Sequence, residues 1–216
     1  MHLATHIRKH YEWYLILVAF FALTLYRFTT HFPTWFDEVV FKALVFGLPV
    51  WKVTRMRRLS HATLGFDVKT FWPGMFTGLA VGGCFGFLAL IVASTGHTHF
   101  FTPGIFQTAK FWELFGLAFA TAWWESLFFF SFVLTFLTRH LKDEWQAVGY
   151  MSLLFVLFHA PLQIVSVGVS ASIMPLLLLA CFAFGQGVLF LRTKSINAII
   201  LSHAFWGMTI LVASLR

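Results

Sequence analysis

The sequence predicts an all-α protein, a multi-pass transmembrane helical bundle with about seven spans. Hydrophobic residues make up 59% of the 216 residues and charged residues only 11%, whereas soluble domains carry about 25% charged residues. The apolar residues form long stretches separated by short polar segments, as membrane-spanning helices require. Because no linker, low-complexity tract or internal repeat divides the chain, residues 1–216 are predicted to form a single integral membrane domain.

Seven apolar stretches approach or exceed the length of a bilayer span, which is about 20 residues. The first stretch follows Arg8 and Lys9 but has no small-residue cleavage site after it, so we expect a retained helix rather than a cleaved signal peptide. In chain order, the predicted helices cover residues 11–30, 36–51, 72–95, 111–138, 146–164, 172–191 and 196–215.

Individual helices carry further signals. The third contains a run of small residues at positions 78–83, which suits close helix packing either within the bundle or between two copies. The fourth is the longest and carries Glu125 near its centre. The two cysteines, Cys84 and Cys181, lie inside apolar stretches, so we expect them to be packing residues rather than disulfide partners or metal ligands.

Basic residues occur mainly on alternate connections between the predicted helices, and the formal net charge is +7. The positive-inside rule therefore places the N-terminus in the cytoplasm and Arg216 outside the cell membrane. Topology explains the net charge, so we expect contacts with membrane lipids and no nucleic-acid binding. The N-terminal segment and the loops after helices two, four and six hold Arg8, Lys9, Lys52, Arg55, Arg57, Arg58, Lys69, Arg139, Lys142, Arg192 and Lys194.

Three ionisable residues, Glu125, His159 and His203, interrupt the apolar stretches. A charged side chain at mid-bilayer costs about 2.5–3.5 kcal/mol on insertion scales, so such residues indicate a functional site. At about 1.5 Å per residue, Glu125 lies roughly 20 Å from the end of its helix, His159 lies at a similar depth, and His203 lies roughly 10 Å deep. We expect the three to share a cavity open to the cytoplasm, with no basic residue at the depth of Glu125.

The three side chains form a chemically coherent set. A carboxylate beside a neutral imidazole can deprotonate a water molecule. A second histidine can donate a hydrogen bond to the oxyanion that develops when that water attacks a peptide carbonyl. Each histidine alone could instead be an interhelical hydrogen-bonding group. The residues therefore indicate hydrolysis, with the glutamate as the base, one histidine as its partner and the other as the oxyanion donor.

Three motifs on successive helices resemble those of the CPBP (Abi) family of intramembrane proteases, which includes CAAX prenyl endopeptidases and bacteriocin-processing proteins. Glu125-Ser126 and the following residues are similar to its Glu-Glu-x-x-x-Arg motif, and Phe155 to His159 match its Phe-x-x-x-His motif. Residues 203–207 are similar to the start of its His-x-x-x-Asn motif. The resemblance covers about residues 111–210. It implies a helical endopeptidase in which Glu125 is the general base, His159 its partner in activating water, and His203 the main oxyanion donor.

Three positions depart from the family pattern: Ser126 stands for the second Glu, Phe130 for the Arg, and Gly207 for the Asn. The joint loss of the second Glu and the Arg avoids leaving one buried charge unpaired. In the family the Asn shares the oxyanion with the last histidine, and losing one such donor typically costs about 2.7–4 kcal/mol of transition-state stabilisation. Gln186, Ser202 or a water molecule could take its place.

The favoured function is a glutamate-type intramembrane endopeptidase that cleaves membrane-embedded or prenylated peptides. A second possibility is a catalytically impaired relative that binds a membrane partner or assists assembly of a complex. A third is a haem or pigment-binding subunit with the two histidines as axial ligands, although this would leave Glu125 without a role. Under the favoured function no metal or cofactor is expected, and the partner is a membrane protein or a lipidated peptide.

Overall fold

The computed structural model describes residues 11–30, 32–95 and 108–214. Over these residues the chain is all-α, as predicted, with seven helices and no strand. The helices are α1 (Tyr11–Thr29), α2 (34–57), α3 (Val68–Thr95), α4 (Ala109–His140), α5 (Glu144–Val167), α6 (Val169–Thr193) and α7 (Ile196–Ser214), with a short 3-10 turn (His61–Leu64) before α3.

The predicted helices all form, and the largest difference is at the end of α2. This helix continues to Arg57 rather than ending at residue 51, because polar residues end the hydropathy signal without ending the helix. Among the described residues, α1, α4, α5 and α6 are long and apolar enough to cross a bilayer. The membrane-bundle fold is thus confirmed, while seven spans stays a prediction.

Local sequence signals set several helix ends. The Thr108 hydroxyl caps α4 by accepting a hydrogen bond from the backbone N–H of Phe111 at 3.2 Å. The Asp143 carboxylate caps α5 in the same way, with the backbone N–H of Trp145 at 3.0 Å. These N-caps satisfy backbone donors that would otherwise have no partner. Gly168, at φ +82°, makes the tight connection from α5 to α6.

Two helices contain π-helical segments. In α2 these are Phe36–Phe41 and Ala43–Gly47, and in α4 the segment is Ser126–Val133. Pro49 explains the second of them, because a proline has no N–H for the hydrogen bond of the preceding turn and its ring clashes with the carbonyl four residues back. Segments of this kind occur frequently at functional sites.

An aromatic core joins α2, α4 and α5. Phe128 and Phe129 of α4 are fully buried, and Phe46 of α2 is 1% exposed. The Phe46 ring lies 4.8 Å from the Phe128 ring and 5.5 Å from the Phe129 ring, measured between centroids. Phe158 of α5 packs on Phe129 at 5.0 Å. Such aromatic packing fixes the three helices against one another.

The small residues of α3 face α7 inside the bundle. A Cβ atom built on Gly78 would lie 2.7 Å from the carbonyl oxygen of Ala198, and one on Gly82 would lie 2.6 Å from the Phe205 ring. Both distances are too short for a real side chain, so glycine allows the two backbones to approach. The sequence allowed the small-residue run to pack either within the bundle or between two copies. At these two positions it packs within the bundle.

The basic helix ends meet at one end of the bundle. Arg57 at the end of α2 donates a hydrogen bond from Nε to the Glu12 carboxylate of α1 at 2.8 Å. A cavity of about 340 Å³ brings Glu12 and Arg57 together with Arg139 at the end of α4. Arg192 of α6 lies 3.9 Å from Glu144 at the start of α5. This clustering agrees with the predicted alternation of loops, although the side of the membrane stays a prediction.

Candidate active site

The structure brings Glu125, His159 and His203 together from three different helices. The Nε2 atom of His159 lies 3.7 Å from Oε2 of Glu125, and the Nε2 atom of His203 lies 3.6 Å from the same oxygen. Glu125 and His203 are buried, whereas 28% of the His159 side chain is exposed. Both imidazoles thus point at one carboxylate oxygen, and the site reaches the surface at His159.

His203 lies at the depth of Glu125 rather than about 10 Å shallower. The carbonyl oxygen of Leu64 accepts a hydrogen bond from Ser131 of α4, and the carbonyl oxygen of its neighbour Gly65 accepts one from the N–H of Ile196. Helix α7 therefore starts level with Ser131, well inside the end of α4. Counted from that level, Glu125 and His203 are both roughly 10 Å deep at about 1.5 Å per residue.

A fourth ionisable residue, Lys42 of α2, belongs to the site. It contradicts the expectation that no basic residue lies at this depth. Its Nζ atom donates a hydrogen bond to Oε1 of Glu125 at 2.7 Å, and the lysine side chain is only 2% exposed. Lys42 lies 15 residues before Arg57 at the end of α2, and Glu125 lies 15 residues before His140 at the end of α4. The sequence did not reveal that match in depth, because the predicted helix ended at residue 51 rather than at Arg57.

Two further residues extend this ion pair. The Glu38 carboxylate accepts hydrogen bonds at Oε2 from Nζ of Lys42 and from the hydroxyl of Thr121. Glu38 lies four residues before Lys42 on α2, and Thr121 lies four residues before Glu125 on α4, so each pair shares one helix face. The four-residue spacing is the sequence signal that could have pointed to Glu38 and Thr121.

The second ring nitrogen of each histidine has a different partner. Nδ1 of His159 lies 2.7 Å from the carbonyl oxygen of Phe155, its own i−4 residue. Nδ1 of His203 lies 3.2 Å from the hydroxyl oxygen of Ser126. A carbonyl only accepts, so Nδ1 of His159 donates and its neutral ring presents an Nε2 lone pair to the site. A hydroxyl can donate, which allows His203 to carry its proton on Nε2.

Aromatic rings hold the histidines in place. The Phe155 ring lies 4.5 Å from the His159 ring and 6.0 Å from the His203 ring. Phe130, which stands where the family has Arg, is fully buried and packs against Phe155 at 5.4 Å and His203 at 6.1 Å. The position that holds Arg in the family is therefore apolar here. The positive charge at this site belongs to Lys42, on another helix.

The remaining predicted residues lie near the site without bonding to it. Oε1 of Gln186 accepts a hydrogen bond from the hydroxyl of Ser202 at 2.8 Å. Among the described residues neither of them hydrogen-bonds to Glu125 or to the two histidines. A Cβ atom built on Gly207 would meet only Ala118, at 3.6 Å, which is ordinary van der Waals contact.

The cavity at the basic end of the bundle is lined by Phe132 and Phe136 of α4 rather than by Glu125. In the part of the chain that the structure describes, no three His, Cys, Asp or Glu side chains are arranged as a metal site. The site consists of acids, a lysine and two imidazoles, which are groups able to transfer protons.

Comparison with family models gives a match to just under half of the chain. Residues 107–209 match the family model described as Rce1-like, type II CAAX prenyl endopeptidase Rce1-like, and this range contains Glu125, His159 and His203. Neither the comparison with curated proteins nor that with solved structures gives a match. The recognition made from the three motifs is confirmed: the chain carries a domain like that of the type II CAAX prenyl endopeptidases, consistent with the CPBP family.

Proposed function

We propose that this protein is an intramembrane endopeptidase that hydrolyses peptide bonds with a water molecule activated by Glu125 and His159. The single observation that carries this proposal is the convergence of two imidazole Nε2 atoms on one oxygen of a buried carboxylate. The Rce1-like domain supports a protease of the CAAX type in a lipid environment.

The position of the water follows from the hydrogen-bonding character of the two groups. Oε2 of Glu125 accepts hydrogen bonds, and so does Nε2 of neutral His159, because its Nδ1 carries the proton. At 3.7 Å the two atoms are too far apart for a direct hydrogen bond. A water molecule that donates one hydrogen to each acceptor satisfies both. Its oxygen lone pairs then face away from them, toward a substrate carbonyl.

The remaining steps use the same groups. Glu125 takes a proton from the water as the oxygen attacks the carbonyl carbon, and the carbonyl oxygen becomes an oxyanion. His203 donates a hydrogen bond from Nε2 to that oxyanion, while Ser126 donates to its Nδ1. The proton on Glu125 then passes to the leaving amine as the C–N bond breaks, which restores the carboxylate.

Substrates of this proposed enzyme are membrane-embedded or prenylated peptides, which reach the site from the lipid. We place the protein in the cell membrane with its N-terminus in the cytoplasm, because the basic helix ends share one end of the bundle and basic loops face the cytoplasm. The partners are thus membrane lipids and a membrane protein or lipidated peptide substrate.

The test is peptide cleavage by the purified protein in proteoliposomes, followed by mass spectrometry of the products. The peptides are a farnesylated peptide with a CAAX terminus and an unmodified transmembrane peptide. Glu125→Gln keeps size but removes the base, so kcat should fall by about 10²-fold or more. His203→Ala removes the oxyanion donor and should lower kcat by about 10²- to 10³-fold.

His61→Ala is the matched control, since His61 is exposed and lies outside the site, and its activity should equal that of the wild type. Full cleavage by Glu125→Gln would refute the mechanism. If the folded wild type cleaves neither peptide while binding of a membrane partner survives Glu125→Gln, the protein is instead a catalytically impaired relative.

A further inference from the structure

We propose that Lys42 is a positioning residue for the Glu125 carboxylate, and that Glu38 and Thr121 hold Lys42 in place. This inference rests on the proposed function, because it concerns how the general base is oriented. Lys42 lies on α2, outside the matched segment 107–209, so the site is completed by a helix that the family comparison does not include.

The first argument is that the two oxygens of the Glu125 carboxylate have different partners. Oε1 of Glu125 accepts from Lys42 at 2.7 Å, whereas Oε2 faces the two histidines. A carboxylate with one oxygen held by a fixed donor cannot rotate the other away from its partners. Lys42 therefore determines which oxygen is available to the water.

The second argument concerns the fixing of Lys42 itself. A lysine side chain is flexible, and a single contact would leave its ammonium group mobile. Here Nζ also donates to Glu38, whose same oxygen accepts from Thr121. The ammonium group is thus bound on two sides, by one carboxylate from its own helix and one from α4.

The third argument is that charge balance alone does not require this arrangement. Two carboxylates, of Glu38 and Glu125, contact Lys42, and a third, that of Asp37, lies 3.8 Å from Arg27. A lysine that served only to neutralise Glu125 would need no second carboxylate. Glu38 adds a partly buried negative charge, which carries a desolvation cost, and it gives Nζ a defined position.

The experiment compares Lys42→Met, Glu38→Gln and the double variant for peptide cleavage in proteoliposomes and for thermal unfolding in detergent. Lys42→Met should lower kcat by about 10²-fold, as expected when a catalytic group is misplaced, with KM within about twofold because Lys42 touches no substrate. Lys110→Met is the matched control: this exposed lysine pairs with Glu113 on the surface of α4, and its loss should change neither quantity.

The double variant separates positioning from structural support. Lys42→Met leaves Glu38 and Glu125 without their shared cation, and Glu38→Gln then removes one of the two unpaired charges. The melting temperature should therefore rise from the single to the double variant, while kcat should stay at the level of Lys42→Met. Recovery of kcat together with stability would show that Lys42 is only a structural ion partner and would overturn the proposal.

Failure of the proposed function gives a different result. If the folded wild type cleaves no peptide, the positioning claim falls with that function. A double-mutant cycle on melting temperature with Lys42→Met and Glu125→Gln then shows whether the pair is a structural contact. If instead the wild type is active and Lys42→Met retains its kcat, only the positioning proposal is refuted.

Discussion

At the scale of single residues, the two histidines differ in what their Nδ1 atoms contact, and this difference assigns them different tasks. The carbonyl oxygen of Phe155 requires a proton on Nδ1 of His159, whereas the hydroxyl of Ser126 allows Nδ1 of His203 to accept. The tautomer of a histidine is set by the hydrogen bond that its other nitrogen makes. In the proposed mechanism, His159 accepts a hydrogen bond from water while His203 donates one to the oxyanion.

The first prediction concerns Ser126. Ser126→Ala removes the hydroxyl that donates to His203, a hydrogen bond with a net value of about 0.5–1.5 kcal/mol. At 1.36 kcal/mol per tenfold, kcat should fall about two- to twelvefold with KM unchanged, as measured by peptide cleavage. The matched control is Ser152→Ala, because among the described residues the buried Ser152 hydroxyl bonds only to the carbonyl of Val148. Equal effects of both changes would contradict a specific role for Ser126.

The second prediction concerns Gly207, where the family has Asn. A Cβ atom fits at this position beside Ala118, so α7 should accept Gly207→Asn. The new amide is a second oxyanion donor, and cleavage activity should be unchanged or raised. Gly207→Ala adds the Cβ without a donor and should leave kcat at the wild-type level. A large loss of activity in Gly207→Asn with normal folding would show that the oxyanion lies elsewhere.

Much of this site was predictable residue by residue, and the failure at Lys42 is instructive. Glu125, His159 and His203 are visible because each interrupts an apolar stretch, and so is Lys42. The predicted end of α2 at residue 51 placed Lys42 shallower than Glu125, whereas the helix continues to Arg57. The hydrogen bonds of Ser126 and Thr121 could not be predicted, since serine and threonine in a membrane helix commonly bond to their own backbone.

At the scale of elements, the π-helical segments of α2 and α4 lie side by side at the site. Phe46 within Ala43–Gly47 packs on Phe128 within Ser126–Val133, and Glu125 directly precedes the segment of α4. Hydropathy predicted both helices but not their π segments, because a change in the backbone hydrogen-bond pattern leaves composition unaltered. Pro49 was the one available signal, and it applies only to α2.

The third prediction tests the contact between α3 and α7. Gly78→Leu places a side chain against the backbone of Ala198, and overpacking of this kind costs about 1–3 kcal/mol. The thermal unfolding temperature in detergent should fall. Gly83→Leu is the matched control on the same helix, since a Cβ built on Gly83 meets no atom of the described part of the chain within 4 Å. A similar loss of stability in both variants would contradict this packing.

At the scale of the whole molecule, the basic helix ends give the bundle one positively charged end. The ends of α2, α4 and α6 carry Arg57, Arg139 and Arg192 at one end of the bundle. The number of spans and the orientation were predicted from the sequence by charge and hydropathy. Both depend on how the chain lies in the bilayer, so an experiment in cells tests them.

The fourth prediction is that the loop containing Ser60 faces the cytoplasm. After Cys84 and Cys181 are replaced, a single cysteine at Ser60 should resist a membrane-impermeant maleimide in intact cells and react after permeabilisation. A single cysteine at Thr98, which lies outside the described residues, should react from outside if the chain has seven spans. Labelling of the Ser60 position from outside would rule out the predicted topology.

The i,i+4 spacing of Glu38 and Lys42 also bears on biogenesis. As a predicted span, helix α2 would carry its own counter-charge into the bilayer, so the cost of inserting a lysine would be reduced before Glu125, 83 residues later, is synthesised. An isolated α2 segment should therefore enter the membrane through the translocon more efficiently than the same segment with Glu38→Gln, as glycosylation reporters would measure.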